Sequence, residues 1–129
     1  MSPCYPLYVV DDDPNVRDWA SLACEEMGLS CLGFASGESF LAAFEDLELG
    51  CILLDMRMPK PNGLAVQAEL AARGSRMPVI AMTGYGDVDV AVQSMRLGAI
   101  EFLEKPFDLD VLREAIESGF RQLRQTPSA

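Results

Sequence analysis

Strand-like apolar runs and helical apolar stripes alternate along this chain. The runs fall at residues 7–10, 31–34, 51–54, 78–82 and 99–103, each the length of a buried strand. Between them, apolar residues return every three or four positions. The first stripe holds Val16, Trp19, Ala20, Ala23 and Met27, with Asp13 and Pro14 marking its start and Gly28 its stop. The second begins near Ser36 and carries Phe40, Leu41 and Phe44. The third runs over residues 64–72, after Asn62-Gly63. The fourth holds Val88, Ala91, Val92 and Met95, with Asp87 as its cap and Gly98 as its stop. The fifth starts at Asp108 and repeats Leu109, Leu112, Ile116, Phe120 and Leu123. Alternation of this kind predicts an α/β fold: a doubly wound, five-stranded parallel sheet with five helices spread over both faces. In such sheets ligands bind beyond the carboxyl ends of the strands, where the winding reverses.

The residues at those ends carry the chemistry. Asp11 and Asp12 follow the first run and Asp55 the third. Thr83 follows the fourth, and Lys105 lies just past the fifth, before Pro106. Three carboxylates brought together repel one another unless a cation or hydrogen bonds compensate. A hard ion such as Mg2+ takes one or two carboxylates while keeping waters and phosphate oxygens. A hydroxyl and an ammonium can hold the other oxygens of a transferring phosphoryl group. A carboxylate can itself become an aspartyl-phosphate. Asp55 stands alone on the central strand and is the better nucleophile; the adjacent Asp11 and Asp12 are better placed for the metal. Taken singly, Thr83 reads as a turn residue, Lys105 as a surface charge and Asp13 as a helix cap. Joint placement at four strand ends favours function.

Composition narrows the options. The 129 residues fit one domain, and half are apolar. Acids exceed Lys plus Arg by 20 to 10, so the net charge of -10 argues against this domain itself gripping nucleic acid. With no histidine, imidazole catalysis and phosphohistidine are excluded, and an oxygen-ligand ion is favoured over a transition metal. Cys4, Cys24, Cys31 and Cys51 show no Cys-x-x-Cys spacing and read as small buried hydrophobes in a reducing compartment. No run nears the ~18 apolar residues of a membrane span, and no secretory leader is visible, so a cytoplasmic location is expected.

The segments Val9-Val10-Asp11-Asp12-Asp13, Leu53-Leu54-Asp55-Met56-Arg57-Met58-Pro59 with Gly63, Ala81-Met82-Thr83-Gly84 and Lys105-Pro106-Phe107 keep the order and spacing of the receiver domain of two-component response regulators. The chain resembles that family over nearly its whole length. The stretch from Thr83 to Phe107 is similar to FixJ-like receivers in particular. The resemblance implies a flavodoxin-like strand order of 2-1-3-4-5. It also implies Asp55 as phosphoacceptor, and Mg2+ (or Mn2+) held by Asp11, Asp12, Asp55 and the backbone carbonyl of Arg57. Thr83 would contact the phosphoryl group, Lys105 would pair with one of its oxygens, and the bond to Pro106 would be cis. Phe102 falls at the aromatic switch position and, lacking a hydroxyl, would signal by packing alone. Arg57 and Tyr85 would shield the site from water. Pro61 departs from the family's usual apolar residue and limits the loop after the third strand.

Implied partners are a sensor histidine kinase, a second copy of the chain after phosphorylation, and a C-terminal DNA-binding output domain outside this chain. The dimer would use the fourth helix, fifth strand and fifth helix, with Val90, Arg96 and Glu101 exposed there. Residues 1–121 are expected to form the receiver and 122–129 a polar tail or linker. The domain would not be an enzyme beyond promoting its own phosphotransfer and dephosphorylation. A phosphatase of the haloacid-dehalogenase kind, with Asp11 as nucleophile, is a rival, although Pro14-Asn15 and the late lysine depart from its pattern. A nucleotide-binding module lacks its glycine-rich loop. A receiver reduced to a scaffold is the third alternative.

Overall fold

The computed structural model describes residues 5–84 and 86–125. Cys4, Tyr85 and residues 126–129 lie outside it. The elements are β1 (Leu7–Val10), α1 (Pro14–Met27), β2 (Cys31–Phe34), α2 (Gly37–Ala43) with a short 3-10 turn at Phe44–Asp46, β3 (Cys51–Asp55), α3 (Gly63–Ala72), β4 (Val79–Thr83), α4 (Val88–Arg96), β5 (Glu101–Glu104) and α5 (Leu109–Gln125). The strands form one parallel sheet ordered β2-β1-β3-β4-β5. The chain thus winds outward from β1 in both directions, and the reversal lies between β1 and β3.

Alternate residues of the central strands feed two cores. Leu7, Val9, Cys51, Leu53, Ile80 and Met82 pack with α1 and α5; Tyr8, Val10, Ile52, Leu54, Val79 and Ala81 pack on the other face with Phe40, Val66 and Leu70. Full burial on both faces explains why β1, β3 and β4 read as continuous apolar runs. Gly119 lets α5 approach β3 closely, since a Cβ there would lie 2.7 Å from Cys51 Sγ.

Four of the helices start with a side-chain cap. Asp13 accepts from the Asn15 amide, Ser36 from Ser39 and Asn62 from Ala65, while Asp108 accepts from Val111 at the start of α5. Strand bounds shift by a residue or two. Asp55 and Thr83 close β3 and β4 rather than follow them, because their backbones still pair, Asp55 opposite Met82 and Thr83 opposite Glu104. The fifth strand begins at Glu101 instead of residue 99, and Ala99 is a core residue before it. Helix α5 extends through Gln125 with Leu123 buried, so the first part of the expected tail is helical.

The α4 stripe differs most. Ala91 and Ser94 are its buried residues, whereas Val88 is 68% and Val92 45% exposed. Helix α4 packs on β4 and β5 through Ala91 and Ser94, and the rest of its stripe meets solvent along the groove beside Phe102. Cys24, Cys31 and Cys51 are free thiols. A hydrogen bond with Cys31 and burial keep the Cys24 thiol protonated, and burial pushes Cys51 up to about 12. No helix among the described residues is long and apolar enough to cross a membrane.

Candidate functional site

The site forms where β1, β3, β4 and the β5–α5 loop meet. Asp11 follows β1 and is fully buried, Asp12 is exposed, and Asp55 is 4% exposed at the end of β3. Their carboxylates each offer an oxygen within 4.8 Å of the others. Lys105 is brought in from the β5–α5 loop, its amide bonded to the Thr83 carbonyl at 2.8 Å. Its Nζ donates to Asp11 Oδ2 at 2.9 Å and stands 3.5 Å from Asp55 Oδ1. The Lys105–Pro106 peptide bond is cis, as the resemblance implies, and Lys60–Pro61 is cis as well. Thr83, buried, ends β4 beside Asp55 and faces a groove under α4.

Backbone contacts fix the carboxylates. Asp11 Oδ1 accepts from the Asp13 amide at 2.9 Å, and Asp55 Oδ1 from the Arg57 amide at 3.2 Å. Helix α3 begins hard against the Asp55 loop: a Cβ on Gly63 would lie 2.6 Å from the Asp55 carbonyl oxygen, so no larger residue fits without movement. Arg17 donates to the Asp11 carbonyl at 2.8 Å. That contact has no sequence signature beyond the one-turn spacing from the strand end.

Electrostatically the pocket resists its own charge. Burial, and next the negative charge of Asp11, push the Asp55 carboxyl up to about 6; the Arg57 amide and Lys105 pull the other way. For Lys105, burial opposes the charged form, but the contacts with Asp11 and Asp55 outweigh it and its pKa is raised. One ammonium therefore serves the two buried carboxylates, Asp11 and Asp55. A hard divalent cation gathers carboxylate oxygens, and this cluster offers three such oxygens within 4.8 Å of one another. The residues present fit Mg2+, the ion that receiver domains generally bind at this acidic pocket.

Asp87 and Val90 depart from expectation. Asp87 stands at the N-cap of α4 but makes no side-chain cap; its carboxylate instead takes the Arg57 guanidinium, Nε to Oδ2 at 2.8 Å and Nη2 to Oδ1. Phe102 is 47% exposed and borders a groove of about 370 Å3 lined by Thr83, Ala91, Val92 and Met95. Val90, expected on the exposed surface, is half-buried against the second core; Arg96 and Glu101 are exposed. Tyr85, assigned a shielding role beside Arg57, lies outside the described residues.

Known proteins resemble this chain in sequence and fold. The family model described as response regulator receiver domain matches residues 7–117. The transcriptional regulatory protein FixJ of Azorhizobium caulinodans is 48% identical over 119 residues, covering 92% of this chain and 56% of that protein. The crystal structure of full-length FixJ from B. japonicum superposes with a TM-score of 0.89 at 40% identity, covering 94% of this chain and 60% of that one. The FixJ-N crystal structure gives 0.88 at 34% identity, over 98% and 99% of the two chains. The chain spans little more than half the length of the FixJ proteins it matches. By family match, identity and fold together, it belongs to the response regulator receiver domain family and is FixJ-like within it.

Proposed function

We propose that this domain is a phosphorylatable switch whose phosphoacceptor is Asp55. In the reaction, a carboxylate oxygen of Asp55 attacks the phosphorus of a phosphohistidine on a sensor kinase. The P–O bond forms as the P–N bond breaks, and the leaving imidazole takes up a proton. The observation that carries this reading is the buried Asp55 carboxylate, 3.5 Å from Lys105 and within one cluster with Asp11 and Asp12. Asp11, Asp12, Asp55 and the Arg57 carbonyl would hold Mg2+, which would neutralise charge on the phosphoryl oxygens. Lys105 takes one of those oxygens and the Thr83 hydroxyl another. The domain promotes this transfer on itself, and also the later attack of water on the aspartyl-phosphate, which breaks the acyl-phosphate link, restores the Asp55 carboxylate and releases inorganic phosphate.

Asp11 is a poor rival nucleophile, since its two oxygens already accept from the Asp13 amide and from Lys105. A small phosphodonor with Mg2+ separates the two. Label should appear on the wild type and vanish in Asp55→Asn; label persisting there would overturn the assignment.

The signal leaves along α4. Thr83 moves toward the phosphoryl group, and Phe102 turns into the groove that lies between Thr83 and Ala91. Exposed Val88, Val92 and Met95, with Phe102, then supply the apolar part of a homodimer contact over α4, β5 and α5. The output is transcriptional, through a DNA-binding domain beyond this chain, in keeping with the FixJ relatives, which are named transcriptional regulators.

A further inference from the structure

The Arg57–Asp87 pair has a consequence for α4. Four helices have a side-chain cap from Asp13, Ser36, Asn62 or Asp108. The fifth, α4, has an Asp at its N-cap whose carboxylate is turned away to Arg57. The free amides of its first turn lack the partner that a capping Asp would give. Arg57 itself is two residues from the phosphoacceptor, and its amide donates to Asp55 Oδ1. Its side chain is 65% exposed, so it can swing at little packing cost.

Farther along, α4 is fixed differently. Ser94 Oγ donates to Gln67 Oε1 at 2.6 Å, and Gln67 Nε2 donates to the Ser94 carbonyl at 3.1 Å, both residues buried between α3 and α4. The helix is thus pinned at Ser94 and tied to the Asp55 loop at Asp87, with exposed apolar residues between.

We propose that Arg57–Asp87 is a partner-exchange latch, an inference that rests on Asp55 being the phosphoacceptor. A phosphoryl group on Asp55 carries close to two negative charges and three acceptor oxygens, two residues along the chain from Arg57, whose amide already donates to Asp55. Arg57 transfers its forked donors to those oxygens, which bind it more strongly than one carboxylate does. Asp87 is released and caps the first turn of α4. The helix rotates about the Ser94–Gln67 pin, and the exposed stripe with Phe102 is reset.

The test is amide hydrogen exchange over residues 88–91, with and without beryllium trifluoride plus Mg2+. In the unphosphorylated wild type this turn should exchange readily and become protected when the mimic binds. Asp87→Ser can cap but cannot pair with Arg57, so its first turn should exchange about five-fold more slowly than wild type without any mimic. Arg57→Gln should do the same by freeing Asp87. Asp87→Ala should show no protection with the mimic. Unchanged or faster exchange in Asp87→Ser and Arg57→Gln without mimic overturns the latch, as does full mimic-induced protection in Asp87→Ala. The mimic-free arms need no phosphoryl chemistry. If Asp55 proves not to be the phosphoacceptor, they still decide whether the pair withholds the cap.

Discussion

Lys105 leans toward Asp11 rather than Asp55: its Nζ lies 2.9 Å from an Asp11 oxygen and 3.5 Å from the nearest Asp55 oxygen. Its charge mainly offsets a fully buried carboxylate, and Asp55 keeps the looser contact. Lys105→Ala leaves Asp11 without its cation and should destabilise the metal-free protein by on the order of 2 kcal/mol. Saturating Mg2+ should recover much of that loss while phosphoryl incorporation stays low. Urea denaturation with and without the ion separates the two effects; a variant as stable as wild type in EDTA would refute the pairing argument.

Asp55 should give the domain a characteristic pH response. Its carboxyl is raised to about 6, so the folded chain holds this proton more tightly than the unfolded chain does. The contribution favours folding at acidic pH and is lost as pH rises from the ordinary carboxylate range through about 6. In EDTA, Asp55→Asn should lack this decline and exceed wild type at pH 7.5 by on the order of 2 kcal/mol. Parallel stability profiles for the two proteins would contradict the raised value.

Gly63→Ala tests how the phosphoacceptor loop is seated. The added methyl meets the Asp55 carbonyl and the Met56 Cα at 2.6 Å, both backbone atoms that cannot rotate away. A loss of about 1–3 kcal/mol is expected, with slower phosphorylation of the folded fraction. Retained stability together with normal phosphorylation would show that α3 can move aside freely.

Val92→Asp places a charge on the open α4 stripe beside Phe102. Because Val92 is 45% exposed, monomer stability should change by less than about 0.5 kcal/mol. Dimer formation in the presence of beryllium trifluoride should fall at least ten-fold by sedimentation. Equal dimerisation of wild type and variant would move the contact off this face.

The parallel sheet was legible because β1, β3 and β4 are buried on both faces, which leaves an unbroken apolar signature, whereas its strand order came from the family resemblance. The strand ends Asp11, Asp55, Thr83 and Lys105 followed from that pattern, since a parallel sheet gathers them on one edge. What stayed hidden lies in pairings between distant residues. The Asp87 motif reads as a cap, and only the approach of Arg57, 30 positions earlier, shows that its carboxylate is otherwise engaged. The stripe of α4 has the period of a buried face, yet periodicity does not say whether a neighbour covers it. The bounds of β3, β4 and β5 moved because backbone pairing continues past the apolar side chains.

Gly119 and Cys51 meet at the opposite end of β3 from Asp55, and α5 runs from that contact back to the loop bearing Lys105. Strand β3 therefore meets α5 sterically at one end and the loop before α5 ionically at the other. A single methyl at position 119 would tilt the helix like a shim under a beam and reset the Lys105–Asp55 spacing about 13 Å away. The timing of such a switch could thus be tuned from a residue that never touches the chemistry.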